Sequence, residues 1–192
     1  MRIIAGEFRG RALTSVGKGD AGAHLRPTTD RVRESLFNVL SHLVDFDGQR
    51  VLDLFAGTGA LGLEALSRGA AHCDFVDSQR PAAVQLNANK VKLAAAATVH
   101  LARAEQFVAS RPPASGYQLV FLDPPFGEQL LQGCADQLEA SGVLAEPCWI
   151  YVEQGSDQQF TAPPSWSLHR QKTTGGVDCR LYRRVVGSDV IA

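Results

Sequence analysis

The sequence lacks the features that mark several classes of protein. No apolar run approaches the ~18 residues of a membrane-spanning helix, and the N-terminus has no apolar segment suited to secretion. The four cysteines, Cys73, Cys134, Cys148 and Cys179, are scattered and contain no C-x-x-C pair. This spacing gives no sign of a metal site or a disulfide framework. We therefore expect a cytoplasmic, monomeric protein without membrane contact, bound metal or disulfides.

A strong charge of either sign is also missing, since the formal net charge is only −1. The total therefore gives no argument for a nucleic-acid partner. The distribution is uneven, because basic residues outnumber acidic ones in residues 1–33 and again in residues 166–184. Such ends are compatible with a phosphate-facing surface and equally with solvated charges on edge strands. Our candidates for phosphate contact are Arg9, Arg11, Arg26 and Arg31.

A chain of 192 residues, 45% hydrophobic and 20% charged, can form one domain with a sizeable core. Apolar runs separated by helical patterns predict strands at residues 51–55, 73–76, 99–101, 118–122 and 149–152. This alternation indicates a mostly parallel sheet that helices cover on both faces. Alternating runs on either side of Gly175 and Gly176, at residues 166–170 and 177–183, predict an antiparallel hairpin at the end.

The chain is expected to begin with a small appendage. Residues 3–13 read as two short strands that turn near Gly6. We therefore divide the chain into an N-terminal hairpin and loop (1–25), a main domain (26–186) and a tail (187–192). A helix capped by Thr29 or Asp30 opens the main domain. Spacings of three and four residues place on its apolar face Val32, Leu36, Val39, Leu40 and Leu43.

The stretch from Val51 to Gly62 predicts a strand, a glycine turn and a helix. Such a turn lets a ligand approach the backbone and the unpaired N–H groups of the helix. Asp77 closes the next apolar run, where a carboxylate accepts hydrogen bonds from ribose hydroxyls. Asp53 lies inside the first strand and needs donors, either loop N–H groups or a cationic group of the ligand. These features indicate an adenosine-containing ligand, either a nicotinamide dinucleotide or S-adenosylmethionine.

The run Asp123-Pro124-Pro125-Phe126 follows a predicted buried strand and therefore lies at the carboxyl edge of the sheet. The two prolines remove two N–H donors, so the Asp123 carboxylate and the Pro124 carbonyl remain as acceptors. An exocyclic amino group offers two N–H donors that this pair can hold. Phe126 offers a flat face on which a base can stack. A plain rigid turn is the alternative interpretation of the same run.

Asp-Pro-Pro-Phe resembles the [Asp/Asn]-Pro-Pro-[Phe/Tyr/Trp] motif of S-adenosylmethionine-dependent amino-methyltransferases. Together with residues 26–38 (RPTTDRVRESLFN) and 54–69 (LFAGTGALGLEALSRG), it is similar to the RsmD family, bacterial small-subunit rRNA (guanine-N2)-methyltransferases. The resemblance runs from about Arg2 to Arg184. It implies a Rossmann-like α/β methyltransferase fold with a mostly parallel seven-stranded sheet. It also implies 16S rRNA as substrate, in an assembled or assembling small ribosomal subunit.

The resemblance also implies roles for individual residues. Asp53, Gly57 and Gly59 would hold the methionine part of the cofactor, and Asp77 its ribose. Further candidates for cofactor contact are Phe55, Thr58, Ser78 and Ala104, the last through its backbone N–H to adenine. Asp123, Pro124 and Phe126 would hold the flipped guanine. One departure concerns Arg103, because such enzymes commonly have Asp or Asn there as an acceptor for the adenine amino group, and arginine has no acceptor.

Two other functions are compatible with these motifs. One is methylation of another amino group, either adenine N6 or a protein glutamine amide. The glutamine enzymes typically carry Asn-Pro-Pro-Tyr, which Asp123 and Phe126 do not match. The other is nucleic-acid binding without catalysis, which is expected to have lost Asp53, Asp77 or Asp123, and all of these are present.

Overall fold

The computed structural model describes residues 1–14, 30–93, 95–111, 116–125 and 130–187. Its helices are α1 (Asp30–Leu43), α2 (Ala60–Ser67), α3 (Arg80–Leu93), α4 (Ala104–Ser110) and α5 (Leu130–Ser141). Its strands are β1 (Arg50–Asp53), β2 (His72–Asp77), β3 (Ala97–Leu101), β4 (Tyr117–Leu122), β5 (Leu144–Gly155), β6 (Trp166–Thr174) and β7 (Val177–Arg184). No helix in these ranges is long and apolar enough to cross a membrane.

The strands form one seven-stranded sheet in the order β3-β2-β1-β4-β5-β7-β6. The first five strands of the chain pair in parallel, and β7 and β6 pair antiparallel at one end. This confirms the predicted Rossmann-like sheet with its terminal hairpin. The chain moves outward from β1 to β2 and β3, then returns to place β4 on the other side of β1. A ligand crevice is therefore expected at the carboxyl ends of β1 and β4, where the strand order reverses.

The core has two layers, one on each face of the sheet. Residues of α1, α2 and α3, such as Phe37, Leu63 and Leu86, pack on one face. Residues of α4 and α5, such as Val108 and Leu138, pack on the other. Strand residues alternate between the two layers, as the period of two requires. The face of each strand-end side chain can therefore be read from this alternation.

The buried stripe of α1 differs from the predicted one. Arg33 and Phe37 are 0% exposed, whereas Val32 and Val39 are only half-buried. Arg33 tolerates burial because Nη2 donates to the carbonyl of Arg2 and to a carboxylate oxygen of Asp30 at 3.0 Å. Burial lowers the pKa of Arg33, opposed by nearby carboxylates. The buried stripe therefore keeps Leu36 and Leu40 of the predicted face and adds Arg33 and Phe37.

The N-terminal arm, residues 1–14, forms a single antiparallel bridge between Arg2 and Ala12 rather than two extended strands. It contributes Ile3, Phe8 and Leu13 to the core layer beneath α1–α3. Its turn covers residues 6–10, and the glycines at both ends of this range have positive φ. The division of the chain at residues 25 and 186 stays a prediction.

Strand β5 is longer than the sequence predicts, because it runs from Leu144 to Gly155 rather than from residue 149 to 152. Pro147 lies within β5, whereas a proline in the sequence usually indicates that a strand is interrupted. The added residues at its end carry Glu153 to the same edge of the sheet as the end of β4.

Candidate functional site

Four neighbouring strands carry a carboxylate at or near the carboxyl end, directly after two hydrophobic residues. Asp53 and Asp77 are the last residues of β1 and β2, Asp123 follows β4, and Glu153 lies two residues before the end of β5. In spatial order β2, β1, β4 and β5, the carboxylates are Asp77, Asp53, Asp123 and Glu153. Each strand end lies at the carboxyl edge, on either side of the point where the strand order reverses. Acidic side chains in this crevice indicate a ligand that presents donors or positive charge.

The register fixes the relative positions of three of these carboxylates. Asp53 pairs with Phe75 on β2 and with Phe121 on β4. Asp77 and Asp123 each lie two residues further along, which is about 7 Å nearer the edge. Because alternate residues share a face, all three carboxylates belong to the face that α1, α2 and α3 cover.

Asp53 is a buried acid with its side chain at the N-terminal end of α2. It is 2% exposed, and Oδ2 accepts the backbone N–H of Gly62 at 3.1 Å. Burial raises the pKa of Asp53 to about 7; the Gly62 bond opposes the rise and the charge of Asp77 adds to it. A cation bound beside this group would favour its ionised form, so the site fits a positively charged ligand group.

The three glycines between β1 and α2 have different roles. Gly57 has a φ of +53°, and a Cβ there would meet no atom within 4 Å, so the loop backbone is open to a ligand. A Cβ on Gly59 would lie 2.2 Å from Cδ1 of Leu86, and one on Gly62 would lie 2.3 Å from Cε1 of Phe75. Gly59 and Gly62 therefore allow close packing, and Gly57 leaves room for a ligand.

Asp77 orders the same loop from the neighbouring strand. Its Oδ2 accepts the N–H of Gly57 at 2.8 Å, and its Oδ1 accepts the N–H of Gln79 at 2.7 Å. Burial raises the pKa of Asp77, and these two backbone bonds oppose the rise. Each carboxylate oxygen has a second lone pair, so Asp77 can also accept from hydroxyl groups of a ligand. Ser78, the next residue, is exposed.

The remaining cofactor candidates surround this loop. Phe55 is half-buried against the core layer of α4 and α5. The carbonyl of Thr58 accepts from Nδ2 of Asn89 at 3.2 Å. Ala104 is 5% exposed and begins α4, directly after the end of β3. Arg103 turns outward: its side chain is 65% exposed and its Nε lies 3.7 Å from the Glu105 carboxylate.

On β4, the structure brings Asp123 and Pro124 to the edge beside the loop. Asp123 is half-buried and Pro124 is buried. The charge of Asp123 acts on Tyr151 and Cys179, where it contributes to raising the pKa of both side chains, although burial is the larger cause. Phe126, the third residue predicted to hold the base, lies outside the described residues.

Three buried polar residues that sequence reasoning missed hold the N-terminal arm. The Glu64 carboxylate accepts the backbone N–H groups of Ile4 at 2.7 Å and Ala5 at 3.0 Å. Ser67 accepts, through Oγ at 2.9 Å, the N–H of Phe8. Asn89 exchanges hydrogen bonds with the backbone of Thr14 at 3.1 and 3.0 Å. The arm is therefore fixed along α2 and tied through Asn89 to the ligand loop.

Of the predicted phosphate-binding arginines that the structure describes, Arg9 and Arg11 lie away from the carboxyl edge. Arg9 and Arg11 are exposed around the turn of the arm, beside Ser67 at the far end of α2 from the loop. Arg31 is exposed in the first turn of α1. Arg26 lies outside the described residues. A ligand that contacts both the edge and the turn of the arm has to reach along α2, which is about 12 Å long.

Comparisons with known proteins add to this geometry. A family model described as conserved hypothetical protein 95 matches residues 1–183. The chain is 45% identical to ribosomal RNA small subunit methyltransferase D of Escherichia coli K12 over 186 residues, 96% of this chain and 90% of the relative. The Haemophilus influenzae protein of the same name is 38% identical over 186 residues, 95% of this chain and 93% of the relative.

Solved structures share the fold. Escherichia coli yhhF is 43% identical, with a TM-score of 0.85 and coverage of 97% of this chain and 99% of that one. T. thermophilus RsmC, a 16S rRNA N2 methyltransferase solved with AdoMet and guanosine, has a TM-score of 0.64 at 15% identity. That alignment covers 83% of this chain and 44% of RsmC, and at this identity it shows the fold alone.

Proposed function

The chain belongs to the family of conserved hypothetical protein 95, the RsmD family, and from this membership we propose that it transfers a methyl group from S-adenosylmethionine to the exocyclic N2 amine of a guanine in 16S ribosomal RNA. Two full-length relatives carry the name ribosomal RNA small subunit methyltransferase D, which supports an rRNA methyltransferase. The finer assignment, guanine N2 in an assembled or assembling small subunit, is our own. We also propose that the protein acts in the cytoplasm, where bacterial ribosomal subunits are assembled.

One observation carries the proposal. The ligand loop of β1 and the Asp123–Pro124 pair of β4 lie on adjacent strands at the point where the strand order reverses. The first offers buried acids and an open backbone, and the second offers two acceptors for an amine. A cofactor on β1 and β2 and a base against β4 would therefore be neighbours.

The residues present fit S-adenosylmethionine. Asp53, with its raised pKa, would bind the cationic methionine part, and the open backbone at Gly57 would let that part approach. Asp77 would accept from the ribose hydroxyls while still holding the loop. Ala104 would donate its backbone N–H to adenine, and the outward turn of Arg103 removes its charge from that position. When bound, the cofactor supplies an electrophilic methyl group on a sulfonium.

The protein itself needs to supply position rather than a nucleophile. The Asp123 carboxylate and the Pro124 carbonyl would accept the two N–H groups of the guanine amine, which turns its lone pair toward the methyl group. Pro124 cannot donate, so its carbonyl presents only an acceptor to the base. The base must first leave its stack, at a cost of about a few kcal/mol that is smaller in an RNA loop than in a duplex.

Asp123 has two possible roles, base or positioning acceptor, and we favour positioning. A guanine N2 proton becomes acidic only once the nitrogen carries positive charge, so early abstraction is unnecessary. The variants Asp123→Asn and Asp123→Ala separate the roles, since the amide keeps an acceptor oxygen but cannot take a proton at neutral pH. In single-turnover methylation we expect Ala to lose on the order of 100-fold or more and Asn noticeably less. Equal and severe losses, with cofactor affinity unchanged, would assign proton transfer.

The function itself is tested by mass spectrometry of rRNA from a strain that lacks this gene. We expect one N2-methylguanosine to be lost from 16S rRNA and restored by the intact gene. In vitro, purified protein should methylate RNA or subunits from the deletion strain, and comparing naked 16S rRNA with assembled subunits identifies the preferred form. Loss of a methyladenosine, or no change in the modification profile, would overturn the assignment in favour of adenine methylation or plain RNA binding.

A further inference from the structure

We propose that Glu153, the fourth strand-end carboxylate, accepts the N1–H of the target base and thereby selects guanine. The inference rests on the proposed function, since it concerns the base whose N2 amine receives the methyl group. It adds a specificity-determining residue on β5 to the acceptor pair on β4.

The sheet register places Glu153 beside Asp123. Leu122 pairs in parallel with Val152, so Asp123, the residue directly after β4, lies level with Glu153, which is still within β5. Neighbouring strands lie about 4.8 Å apart, and both side chains belong to the face of α1–α3, by alternation from Phe121 and Tyr151. Across the other neighbour, Glu153 pairs with Cys179 of β7. Asp123 and Glu153 thus lie side by side, on the same face of the sheet, at the carboxyl end of β4.

Glu153 is 6% exposed, and its position gives a reason for burying an acid. A buried carboxylate needs donors, since desolvating it otherwise costs several kcal/mol. Tyr151 supplies one, because its hydroxyl donates to Oε2 at 2.9 Å from two residues earlier on the same strand. A carboxylate has about four acceptor positions on its two oxygens, and this bond orients the group.

The neighbours of Glu153 remain neutral donors at physiological pH. Burial, with Glu153 and Asp123 as further causes, raises the pKa of Tyr151 well above its ordinary value. Burial likewise raises the pKa of the Cys179 thiol to about 11. Neither side chain is therefore an anion beside the Glu153 side chain.

Guanine differs from other purines at the base edge that Asp123 and Glu153 would contact. Guanine carries two adjacent donor groups, N1–H and the N2 amine, whereas N1 of adenine and of 2-aminopurine is an acceptor. A carboxylate facing N1 stabilises guanine and repels the lone pair of the other two bases. Sites that hydrogen-bond a substrate donor discriminate strongly against analogues without it. Asp123 would therefore position the amine, and Glu153 would read the neighbouring N1–H.

The test compares two bases at the methylated nucleotide, once that position is mapped. RNA is ligated with either guanine or 2-aminopurine there, since 2-aminopurine keeps the N2 amine and lacks N1–H. Single-turnover rates are measured for the unaltered protein, for Glu153→Gln, and for Glu34→Gln as a matched control on the exposed side of α1. In Glu153→Gln, the Tyr151 hydroxyl would hold the amide oxygen and turn the NH2 group toward the base.

We expect Glu153→Gln to lower the guanine rate by about 10- to 100-fold and to raise the 2-aminopurine rate, so that the preference for guanine collapses. Glu34→Gln should leave both rates unchanged. An unaltered preference ratio in Glu153→Gln overturns the inference, even if both rates fall, because a purely structural role lowers them together. If Glu153→Gln loses cofactor binding through misfolding, Glu153→Asp serves instead. This variant keeps the charge and withdraws the carboxylate by one methylene, and an unchanged preference ratio there also overturns the inference.

The two proposals fail in different ways. If the unaltered protein does not methylate guanine N2, the proposed function is wrong. If it does, and the preference for guanine over 2-aminopurine survives in Glu153→Gln, only the role of Glu153 is wrong.

Discussion

Replacing Asp53 by asparagine should stabilise the free protein and weaken its cofactor binding. The carboxylate is 2% exposed, and burial raises its pKa from 3.8 to about 7. The amide keeps an oxygen that can accept the Gly62 N–H but carries no charge. The substitution therefore removes a buried charge without removing its hydrogen bond to the loop helix.

The sign and the size follow from proton linkage. Between pH 3.8 and about 7 the folded protein binds a proton on Asp53 that the unfolded chain has released, so the free energy of unfolding falls as pH rises through this window. About three pKa units correspond to an upper bound of about 4 kcal/mol. Because the amide also requires solvation, we expect Asp53→Asn to gain about 1–2 kcal/mol at pH 8 and much less at pH 4.

Urea unfolding of the cofactor-free protein from pH 4 to pH 8 measures this gain, with Asp47→Asn as an exposed control. Calorimetric titration at pH 8 should show S-adenosylmethionine binding weaker by about 10- to 100-fold in Asp53→Asn, from the lost charge-assisted contact. A variant that is less stable than the parent at pH 8, and binds the cofactor equally well, would show that Asp53 only holds the Gly62 N–H. The reasoning from charge would then be refuted.

Three further predictions follow from the same geometry. In calorimetry, Asp77→Ala should weaken the binding of S-adenosylmethionine by about 1–3 kcal/mol, because the variant loses the acceptor for the ribose and the bond that holds the loop. The unaltered protein should bind a nicotinamide dinucleotide negligibly, and tighter binding of the dinucleotide than of S-adenosylmethionine would contradict the cofactor assignment. Reversing the charge of exposed Arg9 and Arg11 should weaken rRNA binding and flatten its dependence on salt, with cofactor affinity unchanged, and an unaltered salt slope would exclude this turn from the RNA interface. Gly62→Ala should lower the free energy of unfolding by about 1–3 kcal/mol in urea, because its Cβ would meet the Phe75 ring. Gly133→Ala in α5, where a Cβ meets nothing within 4 Å, should raise it by up to about 1 kcal/mol. Equal effects of the two substitutions would show that the contact between α2 and Phe75 relaxes freely.

Local patterns predicted the parallel sheet and most of the ligand loop, because each depends on neighbours in sequence. The sequence of residues 51–62 by itself predicts a strand, a turn and a helix, and the structure has all three. The sequence identifies Asp77 and Asp123 because each follows an apolar run, and Asp53 because a carboxylate inside an apolar strand needs donors. Glu153 follows Tyr151-Val152 in the same manner, and this repeated signal could have identified it.

Long-range polar partners were beyond the reach of sequence patterns. The sequence predicts that Arg33 is exposed on α1, because only the structure shows that its guanidinium donates to the carbonyl of Arg2. Glu64 and Ser67 are buried on α2 because backbone groups of the arm, about 60 residues earlier, require acceptors. For the same reason, sequence patterns do not show that the arm contributes Phe8 to the core.

The anchoring of the arm also sets the order in which the fold is completed during synthesis. Thr14 is held by Asn89, 75 residues later, and Ile4 by Glu64, 60 residues later. At about 5–20 residues per second, a ribosome needs roughly 4–15 s to make the chain between Thr14 and Asn89. Until Glu64 and Ser67 are made, the backbone N–H groups of Ile4 and Phe8 lack their acceptors. The first residues to leave the ribosome therefore dock only after α2 has followed them, and Thr14 docks later still, once Asn89 has been made.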